Sequence, residues 1–173
     1  MPQNLYRIRT SFIIPLALDA LLLFVLLTLS CLGKGSGVER AILVILFVIV
    51  FFVVLEATRR SITVGEEAFR IKKFFKTKTL DWSDLTHIGC LAVRNRVYIL
   101  LTTKKGFYVI SNAYDRFPQL VQDIISHSPE DGIEVEDGAR AQVANPVRNL
   151  ADLIAVWVAA AVLVGIIVIK ITS

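Results

Sequence analysis

Residues 41–57 read AILVILFVIVFFVVLEA, and Arg59 and Arg60 follow almost at once. With Val38 and its flanks, the run approaches the ~20 apolar residues that carry an α-helix across a ~30 Å hydrocarbon core, and snorkelling ends make up the small shortfall. Two further apolar blocks stand on either side, residues 11–32 (SFIIPLALDALLLFVLLTLSCL) and residues 150–169. Of the 173 residues 55% are hydrophobic, against ~45–50% in an ordinary soluble domain, and the excess is concentrated in these blocks. A single polar insert separates the second from the third, with room for one small domain. The expected fold class is therefore an α+β membrane protein. It has an N-terminal transmembrane hairpin over residues 1–58 (helices near 11–32 and 39–57), a polar domain over 59–128, an acidic linker over 129–148 and a third membrane helix over 149–173.

The first block follows a short polar lead-in with Arg7 and Arg9. A secretory signal peptide starts in the same way but has a shorter apolar centre of ~7–15 residues, so the length favours a retained helix. The stretch TLSC ending at Cys31 resembles a bacterial lipoprotein cleavage site, in which the cysteine is lipidated, although such sites usually carry Leu where Thr28 stands. The first linker, GKGSGVER, lacks the GxxxxGK[ST] spacing of a phosphate loop and has no strand before it. It reads as a turn between two antiparallel helices.

Basic residues set the expected orientation. Arg7 and Arg9 precede the first helix, and Arg59, Arg60, Arg70, Lys72, Lys73, Lys76 and Lys78 follow the second, whereas the loop between holds only Lys34 and Arg40. The N-terminus and the polar domain are then cytoplasmic at an inner membrane, and the C-terminus lies outside. The net charge of +4 is read through topology and anionic lipid before nucleic acid. Cys31 and Cys90, the two cysteines, fall in different environments, which argues against a disulfide framework.

Asp19 lies inside the first apolar block, where a carboxylate costs several kcal/mol unless it faces protein, pairs or is protonated. A proton or ion relay is one reading. The absence of a basic or histidine partner in the three blocks favours the other, a hydrogen bond to a neighbouring helix or subunit. The small-residue run AVWVAAAVLVG ending at Gly165 would let the third helix approach another closely, so Asp19 and Gly165 are candidate assembly positions.

From residue 61 the period becomes that of strands. SITV, FRIKKFF and KTKTLDW alternate, with Phe69 and Ile71 against Arg70 and Lys72, and Lys76 and Lys78 against Thr77 and Thr79. HIGCLAV, VYILLTT and GFYVIS follow, with hairpin turns expected at Asn95 and Gly106. DRFPQLVQDIISHS then carries an apolar stripe of Phe117, Leu120, Val121, Ile124 and Ile125 at helical spacing, with Pro118 in its first turn. Six short antiparallel strands closed by one amphipathic helix outline a small curved sheet or barrel.

In this order the segments ITVGEEAFRIK, LDWSDLTHI, YILLTT and GFYVIS before a terminal helix resemble the bacterial pleckstrin-homology-like domains, which commonly sit behind a two-helix membrane hairpin. The resemblance covers about residues 60–128 and implies a domain in which the basic hairpin binds phospholipid headgroups in some members and peptides in others. The third membrane helix lies outside that pattern.

No catalytic arrangement emerges. His87 and His127 lack metal-ligand spacing, and no Ser or Cys has an identifiable base, so neither an enzyme nor a cofactor is expected. Trp82 is expected to fill the open end of the sheet. The pointed feature is the basic set Arg70, Lys72, Lys73, Lys76 and Lys78, which either engages anionic lipid or a partner, or simply retains the domain inside. The acidic linker, with Glu134 and Glu136, is a solvated connection or a cover for those basic strands, with a short helix near residues 139–143. Expected partners are the phospholipid membrane and another membrane protein or a second copy. Nucleic acid is a poor fit, because no aromatic stacking platform accompanies the basic strands. Three functional classes remain: an accessory or scaffold membrane protein, a small assembly subunit of a larger transporter or membrane enzyme, and an independent transporter or enzyme, which three helices with one internal acid disfavour because transport sites are usually built from repeated or broken helices.

Overall fold

The computed structural model describes residues 4–33, 36–73, 76–93, 96–128, 133–144 and 150–172. The chain is α+β and divides into two compact units, one of Met1–Arg9 with Arg59–Leu150 and one of Thr10–Thr58 with Ala151–Ser173.

The helical unit contains α1 (Thr10–Leu32), α2 (Gly37–Arg59) and α5 (Leu150–Thr172). Each is long and apolar enough to cross a membrane. Leu23 and Leu26 of α1 and Leu43 of α2 are buried, with Phe47, Val50, Leu163 and Ile167 packed against them. The greater part of the apolar surface points outward instead, as at Leu21, Ile45, Phe52 and Val158. The loop between α1 and α2 ends in a cap. Ser36 Oγ accepts the Glu39 N–H at 3.1 Å, which satisfies one of the donors left free at a helix start. Ser30 Oγ donates to the Glu39 carboxylate, Arg40 Nε donates to the Ser30 carbonyl, and Lys170 of α5 pairs with Glu39. The start of α2 and the ends of α1 and α5 are thus tied together.

The sheet unit holds two four-stranded sheets. The first has the order β1 (Asn4–Arg7), β2 (Ser61–Val64), β3 (Ala68–Lys72), β4 (Thr77–Asp81). The second has the order β7 (Gly106–Ser111), β6 (Arg96–Thr103), β5 (Leu85–Val93), β8 (Glu134–Val135). The expected alternation holds: Ile62, Val64, Phe69, Ile71 and Leu80 are buried from one sheet and Ile88, Val97, Ile99, Leu101 and Ile110 from the other. Helix α3 (Phe117–His127) buries Phe117, Leu120, Val121 and Ile124. Trp82, in a 3-10 turn between β4 and β5, is buried with its Nε1 donating to the Gly65 carbonyl at 2.9 Å and His127 stacked on its ring. Gly106 opens β7 with φ of +150°, a conformation that favours glycine. The turn expected at Asn95 lies outside the described residues.

Two elements correct the sequence reading. The polar lead-in, expected to belong to the membrane hairpin, is a strand of the sheet unit, with Asn4 opposite Val64 and Arg7 opposite Ser61. Its pattern is too short to register, and its partner lies on the far side of the hairpin. The acidic linker is not merely a connection: Glu134–Val135 forms β8, parallel to β5, and Asp137–Ala144 forms α4. Against the six expected strands, the described residues form eight.

Strand β1 is fastened to α3 through one carboxylate. Asp123 Oδ2 accepts from the Tyr6 hydroxyl at 2.5 Å and from Asn4 Nδ2 at 2.7 Å. Burial first, and then the adjacent Asp123, hold the Tyr6 hydroxyl well above the ordinary tyrosine range, so it stays a donor. Tyr6→Phe is expected to destabilise the sheet unit by about 1.5–3 kcal/mol, the range for a hydrogen bond to a charged group. The check is denaturant unfolding of the full chain in detergent, followed by Trp82 emission in a Trp157→Phe background. The double variant with Asp123→Asn should cost less than the sum of the two.

Candidate functional site

The basic strands take their geometry from the ladders. Arg7 faces Ser61, Ser61 faces Lys72, and Lys72 faces Thr77, so one cross-strand row runs over the first sheet where α1 leaves and α2 returns. Residues directly opposite share a face, and neighbouring strands lie ~4.8 Å apart. Arg70 and Lys72 are exposed on the outer face of β3, alternating with buried Phe69 and Ile71. Lys73 and Lys76 close the turn to β4, the Lys73 N–H donating to the Lys76 carbonyl at 2.8 Å.

Lys78 separates from Arg70 and Lys72. Its ladder partner is Ile71, which puts it on the opposite face, where its Nζ sits 5.3 Å from the centre of the Tyr108 ring. Four of the five expected residues thus form two groups, divided by the two-residue period of the strand, and Lys76 stays in the turn. One group is the outer row of Arg70 and Lys72, joined by Arg7. The other surrounds a cleft of about 330 Å³ lined by Arg60, Lys73, Tyr98, Tyr108 and Tyr114 among others. A cation above an aromatic face is held by the ring quadrupole, so Tyr108 positions Lys78 near this cleft. The sequence reading used Arg60 only as a topology charge and missed the three tyrosines. Tyr98 and Tyr108 lie within β6 and β7 and Tyr114 in the chain beyond them, and none carries a local signal, because the cleft forms between residues distant in the chain.

The acidic segment lies against β5 and not against the basic strands, at least for its described residues. Glu136 accepts the Cys90 N–H at 2.7 Å and approaches His87 Nε2 at 3.3 Å, while Glu134 lies 3.5 Å from His87 Nδ1. The fit is close: a Cβ on Gly89 would stand 3.2 Å from the Glu136 carboxylate, and one on Gly138 would stand 3.1 Å from Cys90 Cβ. The Cys90 N–H, followed by His87, holds the Glu136 carboxyl below the usual glutamate range. Burial, and then the Glu136 charge, push the Cys90 thiol up.

In the helical unit Asp19 is 6% exposed, and its Oδ1 has no hydrogen-bond partner among the described residues. The expected hydrogen bond from a neighbouring helix is absent at that atom. A Cβ on Gly165 would meet nothing within 4 Å, so its face of α5 is open rather than packed within the chain. Cys31 is exposed. Among the described residues no three His, Cys, Asp or Glu side chains gather as a metal site.

The linkage sign for the β5 edge follows from Glu136. Its carboxyl is lowered in the folded state, so the stabilisation it brings is complete above the ordinary glutamate range and is lost as pH falls through the lowered value. The protection factor for amide exchange at Cys90 and Glu136, corrected for the intrinsic pH dependence of exchange, should therefore fall below that range and stay flat above it. Glu136→Gln should move the midpoint of the pH–rate profile of Cys90 alkylation downward, measured with Cys31→Ser as background. No protein-family model, curated protein or solved structure matches the chain.

Proposed function

We propose that this chain is a non-catalytic accessory or scaffold protein of the inner membrane. Its three apolar helices span the bilayer, and its sheet unit, a pleckstrin-homology-like module, engages anionic phospholipid headgroups on the cytoplasmic side. The observation that supports this most directly is the row Arg7, Ser61, Lys72 and Thr77, flanked by Arg9, Arg59, Arg60, Lys73 and Lys76. The cations gather at the end of the sheet that is covalently joined to α1 and α2. Each basic residue held near an anionic leaflet contributes ~1 kcal/mol of attraction. A helix that is apolar on all sides is at home in hydrocarbon, and the outward side chains of α1, α2 and α5 are of that kind. Within this reading the cleft beside Arg60 and Lys73 is the place for a single phosphate group, and the outer row is the broader contact.

The capping network at Glu39 and Lys170 places the C-terminal end of α5 with the α1–α2 loop, in keeping with a C-terminus outside. A second reading, a small assembly subunit, is favoured by the Asp19 oxygen that has no partner among the described residues and by the open Gly165 face. It predicts a fixed-ratio membrane partner that is lost with Asp19→Ala.

Two measurements test the main reading. With Cys90→Ser as background, a membrane-impermeant thiol reagent should label Cys31 in intact cells, and Gln122→Cys with both Cys31→Ser and Cys90→Ser should be labelled only after permeabilisation; the reverse pattern would overturn the orientation. Combined Lys72→Gln, Lys73→Gln and Lys76→Gln should lower the enrichment of anionic over zwitterionic lipid that co-purifies with the full chain, with the amount of protein extracted unchanged. Unaltered enrichment would reject headgroup binding by these strands.

A further inference from the structure

Among the described residues, the second sheet leaves most of one face uncovered, with Glu136 meeting it at Gly89 on the β5 edge. Ladder partners place Val109 beside Leu100, Leu91 beside Tyr98 and Val93 beside Arg96, in three successive rows on the same face. The opposite face, with Ile88, Ile99, Leu101 and Ile110, is the buried core. On the open face Leu91 is 48% exposed, Val93 49%, Val109 52% and, one row further, Phe107 58%. Alternate residues on a strand are ~7 Å apart, so the rows from Val109 to Val93 extend ~14 Å. A contiguous apolar face of this kind on a polar domain marks a contact.

The position of the face says what covers it. Ser111 lies in the same row as Leu91 and Tyr98. Three residues on, Tyr114 pairs with Ile8, the Arg9 N–H donates to the Ala113 carbonyl at 3.0 Å, and the next residue, Thr10, begins α1. The rows nearest the β5–β6 turn are therefore close, through bonded and hydrogen-bonded chain, to the point where the first membrane-length helix starts. Arg96 is the charged side chain carried by these rows; at their β5 edge Gly89, in the row of Leu100 and Val109, lies beside the Glu136 carboxylate that the Cys90 N–H holds, and at the other edge Tyr98 and Val109 line the cleft that holds Arg60 and Lys73. Aliphatic side chains, a tyrosine and arginine or lysine at one edge are the composition of an interfacial surface. A second copy docked on this edge would set like charges against one another, whereas an anionic leaflet brings the opposite sign.

We propose that this face, from Val109 through Leu100 and Tyr98 to Leu91 and Val93, inserts into the interfacial zone of the anionic leaflet and fixes the sheet unit against the bilayer. The inference rests on the membrane-spanning reading above and extends it. Arg60 and Lys73, in the cleft that Tyr98 and Val109 also line, supply attraction without a defined depth. The apolar rows supply depth, reaching ~5–10 Å into the boundary between headgroups and acyl chains as an interfacial helix does.

The test uses the full chain with Cys31→Ser and Cys90→Ser, in nanodiscs of mixed phosphatidylglycerol and phosphatidylcholine. An environment-sensitive fluorophore is attached at Val93→Cys, at Ile45→Cys on the outward side of α2 or at Gln122→Cys on the exposed side of α3. The expected result is quenching at position 93 by lipid spin-labelled near its carbonyl end, with protection from iodide, and the converse at position 122. Replacing Leu91 and Val109 by Glu should abolish the lipid quenching at 93 and leave that at 45 intact. Position 93 behaving like 122 would overturn the proposal, as would protection from iodide without lipid quenching, the mark of a protein partner or second copy. Loss of quenching at 45 would instead reject the membrane-spanning reading itself, so the two failures are separable.

Discussion

The pairing of β1 with β2 is the constraint on which the rest depends. Asn4–Arg7 lies before the α1–α2 hairpin and Ser61–Val64 after it, yet their ladder brings Arg7 opposite Ser61. Neighbouring strands are ~4.8 Å apart, so the residues leading into α1 and out of α2 are held side by side by main-chain hydrogen bonds. Closing so long a segment costs chain entropy that grows only slowly with its length. The contacts between α1 and α2 at Leu23, Leu26 and Leu43 and the Asp123 carboxylate that takes both Tyr6 and Asn4 offset it. The helical hairpin is an insertion between two paired strands, not a segment placed ahead of a domain.

That insertion organises the charge. Arg7, Arg9, Arg59 and Arg60 gather because the strands that carry them are paired or lead into the pair, and Lys72 joins them through the next ladder. The same sheet then distributes the remaining cations by parity. Arg70 and Lys72 face outward, while Lys78, opposite Ile71, crosses to Tyr108. The acidic residues Glu134 and Glu136 are occupied elsewhere, on His87 and the Cys90 N–H along the β5 edge, so these two carboxylates do not cover the basic strands. Under the proposed function this asymmetry is useful: an anionic surface meets the cations directly.

Apolar surface is distributed in a comparable way. In the helical unit a small cluster is buried and most of the apolar side chains face outward. In the sheet unit the core is conventional on one side of each sheet, but the outer side of β5, β6 and β7 keeps Leu91, Val93, Phe107 and Val109 exposed. Burial of such side chains is worth ~25 cal/mol per Å² of area removed from water, so both units retain apolar area whose removal from water would be favourable. The proposed bilayer accounts for both with one solvent.

The sequence by itself determined the three apolar helices, the polar insert between them, the alternation of β2 to β7 and the stripe of α3. Each is a local pattern: apolar length in one case, and periods of two or 3.6 residues in the others. Phe69 and Ile71 are inside and Arg70 and Lys72 outside because parity along a strand admits no other arrangement. The tertiary structure alone decided that Asn4–Arg7 is a strand, that Glu134–Val135 adds to β5, that Lys73 and Lys78 turn toward a cleft with Arg60 and Tyr108, and that Asp19 is buried with an oxygen that has no partner among the described residues. These features join residues far apart in the chain. The short β1, set apart from the other strands by the hairpin, the two-residue β8, and side chains meeting across two sheets have no local period to read; only long-range pairing creates them.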